Sequence, residues 1–153
     1  MSESVTILIA EDDEGHATLM QRNLCRASIP ADAVRVRDGQ ELLDYIYRRG
    51  PWHTRAEHDA LLILLDLNMP RLGGLEVLER LKRDGQLAHI PIFIMTTTDN
   101  PLELDRCYVR GASACIVKPL DYGSFGDMVH RLAEFLVMAR LPAEIPHTAR
   151  HGH

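Results

Sequence analysis

The chain lacks the features that mark several large classes of protein. Its 153 residues include only three cysteines, Cys25, Cys107 and Cys115, and no C-x-x-C pair, so the sequence predicts neither a disulfide framework nor a zinc site. No apolar run approaches the ~20 residues of a membrane-spanning helix. The first residues lack the basic start and apolar core of a signal peptide. We therefore expect a cytoplasmic protein without a membrane partner, in which the thiols are small buried apolar groups.

Basic charge is also scarce. The chain has 17 Lys and Arg residues against 22 Asp and Glu residues, a net charge of -5. This balance argues against a nucleic-acid partner, which usually requires a basic face. The eight histidines show no H-E-x-x-H spacing for a metal. An apolar content of 46% and the length itself favour one globular domain with a sizeable core.

Short apolar runs alternate with helical patterns along the chain. Strand-like runs occupy residues 5–10, 34–36, 61–66, 90–95 and 114–117, and helical patterns occupy residues 16–28, 38–50, 75–81, 100–111 and 125–140. Asn100, followed by Pro101 and by Glu103, predicts a capping box at the start of the fourth helix. The order predicts an α/β fold: a doubly wound (βα)5, flavodoxin-like parallel sheet of five strands. We expect a single domain over residues 1–140 and a C-terminal extension over residues 141–153.

Polar side chains stand where four of these strands end. Five aliphatic residues precede Asp66, an acid pair of Glu11 and Asp12 follows the first strand, and Thr96 and Lys118 follow the fourth and fifth. In open α/β sheets the ligand crevice lies beyond the carboxyl ends of the strands. Taken singly, Asp66 reads as a turn residue, the acids at 11–13 as a capping cluster and Lys118 as a surface lysine. Their joint placement favours a functional site.

The predicted cluster has a definite chemistry. Carboxylates of Glu11, Asp12 and Asp66 at close range repel one another, and a bound cation relieves that repulsion. Oxygen ligands without thiolate or imidazole favour Mg²⁺ over Zn²⁺ or Cu²⁺. The Asp66 carboxylate can then attack a phosphoryl group and form an acyl phosphate. Lys118 and the Thr96 hydroxyl would contact phosphoryl oxygens, and such positioning is most of what phosphoryl transfer requires.

These residues resemble the receiver domain of two-component response regulators. The resemblance is carried by Glu11-Asp12, Asp66-Leu67-Asn68-Met69-Pro70, Gly74, Thr96 and Lys118-Pro119, and it covers about residues 5–138. It implies that Asp66 accepts a phosphoryl group from a sensor histidine kinase and that Thr96 and Lys118 contact this group. It further implies that Asp12, Asp66 and the Asn68 backbone carbonyl ligate Mg²⁺, with Glu11 acting through water, and that the Lys118-Pro119 bond is cis. Such a domain is a signalling module that catalyses only its own phosphorylation and dephosphorylation.

The chain is most similar to stand-alone receivers that pair with phytochrome-type sensor kinases. The similarity includes the Glu-Asp pair, a long loop at residues 49–60 and a Thr-Thr after the fourth strand. It implies a phytochrome-type kinase as partner and output through an unknown downstream protein or phosphotransfer partner. It also implies a homodimer, formed through the fourth helix, fifth strand and fifth helix or through the C-terminal extensions.

One position departs from the receiver pattern. Receivers commonly carry Tyr or Phe three residues before the lysine, as a rotameric switch coupled to the threonine, and this chain has Cys115 there. A thiol cannot move between exposed and buried sites as a ring does. Tyr108, on the fourth predicted helix, is either a substitute for that ring or an ordinary packing residue.

Particular residues disfavour three other functions. A haloacid dehalogenase-type phosphohydrolase also forms an aspartyl phosphate, but it needs a carboxylate two residues after the nucleophile, where this chain has Asn68. A pseudo-receiver that is never phosphorylated would not need the intact acid pair, Asp66, Thr96 and Lys118. A nucleotide-binding domain is disfavoured because neither G-x-G-x-x-G nor a Walker P-loop is present.

Overall fold

Five parallel strands form the centre of the molecule, in the order β2-β1-β3-β4-β5. The computed structural model describes residues 5–27, 31–55 and 60–139. The strands are β1 (Val5–Ala10), β2 (Ala31–Val36), β3 (Ala60–Asp66), β4 (Ile92–Thr96) and β5 (Ala114–Val117). The helices are α1 (Glu14–Arg26), α2 (Gly39–Tyr47), α3 (Gly74–Arg83), α4 (Pro101–Val109) and α5 (Tyr122–Met138), with a short 3₁₀ helix at Gly50–Trp52. The predicted flavodoxin-like (βα)5 fold is confirmed.

The central strand is β3. All seven of its residues are buried, as expected for a parallel strand covered on both faces. Its Ile63 pairs with Leu8 of β1 on one side and with Ile92 of β4 on the other. Asp66 is therefore the last residue of the most buried strand, and its neighbours on both sides end at the same edge of the sheet.

Alternate residues of the inner strands pack into two cores on opposite faces. Leu8, Ile63 and Leu65 face the core formed with α2, α3 and α4. Ile7 and Leu64 face the core formed with α1 and α5. Since successive side chains of a strand point to opposite faces, each inner strand contributes to both cores.

Capping side chains begin most of the helices, and the structure differs from prediction at one helix cap and at one strand boundary. The Asp13 carboxylate accepts the His16 N–H at 2.9 Å and caps α1, which is the capping role predicted for it. At α4, Asn100 caps by accepting the Leu102 N–H, but its own N–H donates to Thr98 Oγ1, so the predicted capping box with Glu103 is wrong. Strand β4 begins at Ile92 and not at residue 90, because the residue 90 N–H closes a turn onto Leu87 and Pro91 has no N–H for the ladder.

The cysteines do not share one environment. Cys107 is fully buried and Cys115 is half-buried, but Cys25 is exposed on α1, so the prediction of a buried thiol is wrong at that position. Cys25 follows the buried Leu24 on the helix, and that step turns its side chain toward solvent. Over the described ranges, no helix has the length and apolar character needed to cross a membrane. The predicted extension at residues 141–153 lies outside the described residues.

Candidate functional site

The carboxyl edge of the sheet brings the predicted residues together. Glu11 follows β1, Asp66 ends β3, Thr96 ends β4 and Lys118 follows β5. The Lys118 Nζ lies 2.6 Å from Glu11 Oε1 and 3.5 Å from Asp66 Oδ2. Residues more than one hundred positions apart in the chain thus form one ion-paired cluster.

Lys118 is not a surface lysine. The residue is 5% exposed and its ammonium group lies between two buried carboxylates. Its backbone N–H donates to the Thr96 carbonyl oxygen at 2.6 Å, which ties the end of β5 to the end of β4. A buried cation is stable only when it is paired and hydrogen-bonded, and Glu11 supplies the closest partner. The alternative of a solvated lysine is therefore wrong.

Three carboxylates can hold a metal ion at this edge. Glu11, Asp12 and Asp66 each offer one oxygen, and these atoms all lie within 4.8 Å of one another. Burial, together with the nearby Glu11 charge, raises the pKa of Asp66 to about 7. A divalent cation would relieve this repulsion and favour the ionised carboxylate, so the donor set and its electrostatics both fit a hard metal ion.

The turn after β3 holds Asp66 in place. The Asn68 N–H donates to Asp66 Oδ1 at 3.2 Å. Gly74 packs directly beneath this turn, since a Cβ added there would lie 2.5 Å from the Asp66 carbonyl oxygen. The Gly74 N–H also donates to the Leu67 carbonyl at 3.0 Å. Gly74 is therefore needed for the close approach of the backbone to the end of β3.

Two arginines support the site in ways that the sequence did not reveal. Arg35 donates from Nε to the Glu11 carbonyl at 2.9 Å and from Nη2 to the Asp12 carbonyl at 3.2 Å, and so orients the acid pair. Arg71 forms two hydrogen bonds of 2.9 Å with Asp38 and anchors the loop that follows Asp66. Alternation of Val34 and Val36 with arginines was the only available signal for Arg35, and it indicates an edge strand, not a contact.

Thr96 is fully buried at the end of β4. Its Oγ1 accepts the Thr98 N–H at 3.2 Å, so the loop from β4 to α4 engages the hydroxyl. A change in the position of this hydroxyl would therefore be transmitted to that loop.

Cys115 of β5, at the position where receivers commonly carry an aromatic ring, contacts α4. Cys115 is half-buried, its N–H donates to the Tyr108 hydroxyl at 3.0 Å, and its Sγ lies 3.9 Å from the Leu104 carbonyl. Burial raises the pKa of the Cys115 thiol to about 11, so this group stays protonated near neutral pH. Tyr108 thus binds the free edge of β5 from α4.

The Lys118–Pro119 peptide bond does not follow the family expectation. No peptide bond among the described residues is cis, and the predicted cis bond at this position is wrong. The Lys118 side chain nevertheless reaches Glu11 and Asp66.

Comparison with known proteins agrees with the geometry. Residues 7–130 match the family model of the response regulator receiver domain. Response regulator Rcp1 from Synechocystis is 29% identical over 138 residues, which cover 90% of this chain and 92% of Rcp1. The structure of the Mn²⁺-bound form of Rcp1 superposes with a TM-score of 0.83 at 28% identity, covering 90% of this chain and 99% of the other.

A second solved structure extends the comparison. The phosphorylated cyanobacterial phytochrome response regulator RcpA is 32% identical, with a TM-score of 0.81 over 90% of this chain and 97% of that chain. The family match covers most of the sequence, and the acid cluster offers the oxygen ligands that can hold a divalent metal. The chain therefore belongs to the response regulator receiver domain family and acts in two-component phosphorelay signal transduction, with a histidine kinase as its phosphoryl donor.

Proposed function

We propose that Asp66 is the residue that accepts the phosphoryl group. One observation carries this assignment: a buried lysine bridges the Asp66 carboxylate and the Glu11 carboxylate at the carboxyl edge of the sheet. An aspartate placed there for a turn alone would not require a buried cation beside it, because burying that cation has a large desolvation cost. Phosphorylation would add further negative charge where Lys118 already lies.

We propose Mg²⁺ as the metal. Asp12, Asp66 and the Asn68 backbone carbonyl would ligate it directly, and Glu11 would reach it through water. When bound, the metal neutralises charge on the phosphoryl oxygens. The exposed Asp12 and the buried Asp66 provide the one or two carboxylates that Mg²⁺ prefers, and the exposure of Asp12 leaves room for bound waters.

The protein's own residues would supply the remaining steps. The ionised Asp66 oxygen attacks phosphorus, the bond to the imidazole nitrogen of the donor breaks, and that nitrogen keeps the bonding electron pair. Lys118 moves from Glu11 toward a phosphoryl oxygen and offsets the added charge. The Thr96 hydroxyl leaves its contact with Thr98 and donates to another phosphoryl oxygen, which changes the loop before α4. Through these movements, the added charge of the phosphoryl group would change the surface formed by the loop before α4.

The kinase partner is proposed to be of the phytochrome type. This rests on the similarity to Rcp1 and to RcpA, which is described as a phytochrome response regulator. Residues 1–140 would form the receiver and residues 141–153 a C-terminal extension. The downstream partner would be a protein contacted directly or a further phosphotransfer domain.

Self-association is proposed for the face formed by α4, β5 and α5. The elements that form this face carry exposed apolar side chains, namely Val109 of α4, Val117 of β5 and Leu120 just before α5. Exposed apolar groups of this kind are typical of protein contact surfaces. Sedimentation equilibrium should show a dimer that Leu120→Glu weakens; a monomer at all concentrations would contradict the dimer without affecting the phosphoryl site.

Phosphorylation by a small donor tests the acceptor. The purified protein is incubated with acetyl phosphate and Mg²⁺, and intact mass is measured before and after acid treatment. We expect acid-labile label to be absent from Asp66→Asn and fully present in Asp105→Asn, a matched change at an exposed position on α4. Undiminished labelling of Asp66→Asn would overturn the assignment. Steady release of phosphate from phosphomonoesters would instead favour the phosphohydrolase, which the amide at Asn68 disfavours because it cannot act as a general acid.

A further inference from the structure

The ring of His16 lies beside the acid cluster but takes no part in the chemistry described so far. It projects from the first turn of α1, and its Nδ1 is buried without a hydrogen-bond partner among the described residues. Only one other side-chain atom in those ranges, Trp52 Nε1, shares this condition. Buried polar atoms are rarely left unpaired, so the position of this nitrogen calls for a physical reason.

The nearest acidic atom to this nitrogen is the oxygen that binds the lysine. His16 Nδ1 lies 3.9 Å from Glu11 Oε1, and that same oxygen accepts Lys118 Nζ at 2.6 Å. The distance of 3.9 Å is too long for a hydrogen bond but needs to shorten by only about 1 Å to become one. Lys118 therefore donates to Glu11 Oε1, and His16 lies just beyond hydrogen-bond distance of the same oxygen.

Aromatic neighbours restrict how the imidazole can turn. The His16 ring centroid lies 4.6 Å from that of Phe125 and 5.5 Å from that of Tyr122, both in the first turn of α5. Phe125 is fully buried. Packing on two sides keeps Nδ1 directed toward Glu11 rather than toward solvent, which is the arrangement expected of a positioned group.

Movement of the Lys118 side chain would leave Glu11 without its hydrogen-bond donor, and His16 can replace that donor. Under the phosphoryl-transfer role proposed above, the lysine must leave Glu11 to pair with the phosphoryl group. Glu11 is 2% exposed, so its Oε1 would then lose its closest partner inside the protein, and leaving a buried charged oxygen without that partner is costly. A donor already at the edge of hydrogen-bond distance lowers that cost.

We propose that His16 is a positioning residue that donates from Nδ1 to Glu11 as Lys118 moves to the phosphoryl group. The exchange requires a proton on Nδ1, because a carboxylate can only accept. No proton is transferred: one N–H···O bond replaces another at the same oxygen. His16 thereby stabilises the phosphorylated state relative to the free state, and it does so through Glu11 without touching the phosphoryl group.

Binding of beryllofluoride, a non-covalent mimic of the phosphoryl group, tests this exchange. Its affinity is measured by titration calorimetry at saturating Mg²⁺ for the whole chain and for six variants: H16L, H16N, H130L, K118A, K118A with H16L, and D66N. We expect H16L to bind about tenfold more weakly, the effect of losing one hydrogen bond to a charged group. H16N retains an N–H donor near the Nδ1 position and should restore most of the affinity. H130L makes the same change at an exposed histidine of α5, which also lies 3.9 Å from a glutamate, and should bind like the wild type.

A double variant separates positioning from packing. In K118A no lysine leaves Glu11, so His16 can serve this carboxylate equally before and after ligand binding. Adding H16L to K118A should therefore change beryllofluoride affinity by less than twofold. A tenfold loss in both backgrounds would mean that the ring only packs, and wild-type affinity in H16L would also overturn the proposal.

The same titration distinguishes this proposal from the acceptor assignment on which it rests. If D66N still bound beryllofluoride, the acceptor role of Asp66 would fail and the exchange with it. If D66N lost binding while H16L kept it, only the role of His16 would fail.

Discussion

Lys118 binds Glu11 more closely than it binds Asp66. Its Nζ is 2.6 Å from the first carboxylate and 3.5 Å from the second, and all three side chains are almost completely buried. The lysine is thus held beside the proposed acceptor by a neighbouring acid, which keeps it available for a phosphoryl oxygen.

Replacing Asp66 with Asn should stabilise the metal-free protein most at high pH. Burial and the charge on Glu11 raise the folded-state pKa of Asp66 from 3.8 to about 7. Below the lower value the carboxyl is protonated in both states, whereas between the two values only the unfolded state releases the proton. Stability is therefore lost as pH rises from about 4 to about 7, and the full loss persists above that range.

Thermal and urea unfolding at two pH values check this effect. At pH 8 we expect Asp66→Asn to raise the free energy of unfolding by about 2–4 kcal/mol. At pH 5 the difference should be about a third as large, because the interval from the unfolded-state pKa of 3.8 to pH 5 is about a third of the interval from 3.8 to about 7. Asp105→Asn, at an exposed position, should show no such pH dependence, and an equal gain for Asp66→Asn at both pH values would contradict the raised pKa.

Metal affinity should rise with pH until Asp66 is ionised. Because Mg²⁺ requires the carboxylate, binding below pH 7 should release about one proton per ion, and the dissociation constant should fall about tenfold per pH unit. Above pH 7 the affinity should level off. Calorimetry in buffers of different ionisation enthalpy measures the released protons directly. Binding that ignores pH between 5.5 and 7 would show that Asp66 does not ligate the ion.

Removing the lysine should destabilise the fold as well as the signalling state. Lys118→Ala leaves Glu11 and Asp66 buried without their shared cation, and breaking such a pair typically costs ~3–5 kcal/mol. Saturating Mg²⁺ should recover part of this loss, since a cation then returns to the site. Urea titrations with and without Mg²⁺ make the comparison.

An exposed ion pair provides the control for that variant. Arg83 pairs with Glu79 four residues earlier on α3, at 3.1 Å and in solvent. Arg83→Ala should cost less than ~1 kcal/mol and should show no dependence on Mg²⁺. Equal losses for the two variants would mean that Lys118 is less buried and less paired than the structure shows.

A methyl group at Gly74 should disturb the acceptor turn. The added Cβ would lie 2.5 Å from the Asp66 carbonyl oxygen and 2.8 Å from Leu67 Cα, both backbone atoms that cannot move independently. We expect Gly74→Ala to cost ~1–3 kcal/mol and to slow labelling by acetyl phosphate. Gly85→Ala has no atom within 4 Å of its added Cβ and should leave both properties unchanged. Normal labelling of a folded Gly74→Ala would show that the turn tolerates displacement.

Much of this site could be read from the sequence because a parallel sheet orders its ends. Once the apolar run before Asp66 was identified as a central strand, the polar residues after the first, fourth and fifth strands had to meet at one edge. The convergence of Glu11, Asp66 and Lys118 is confirmed on that ground. Their roles as metal ligands and phosphoryl contacts remain predictions, as do the extension at 141–153 and the dimer.

The supporting contacts could not be read in the same way. Arg35, Arg71 and His16 reach the site with long or rotatable side chains, and no spacing in the sequence states which backbone atom or carboxylate they meet. The burial of Lys118 was likewise not a property of its own neighbourhood, since the residues on either side of it are exposed or half-buried.

The sequence by itself determined the alternation of strands and helices, the buried central strand and the set of polar residues that follow the strands, because hydrophobic periodicity is a local property of the chain. Only the tertiary structure decided that Lys118 pairs most closely with Glu11 and that Cys25 faces solvent. It also decided that His16 lies beside a carboxylate oxygen that already accepts a hydrogen bond from Lys118. Those outcomes depend on which side chains from distant segments meet in the buried, low-dielectric interior. Which donor pairs with which carboxylate there depends on interatomic distances, and a local sequence pattern does not contain them.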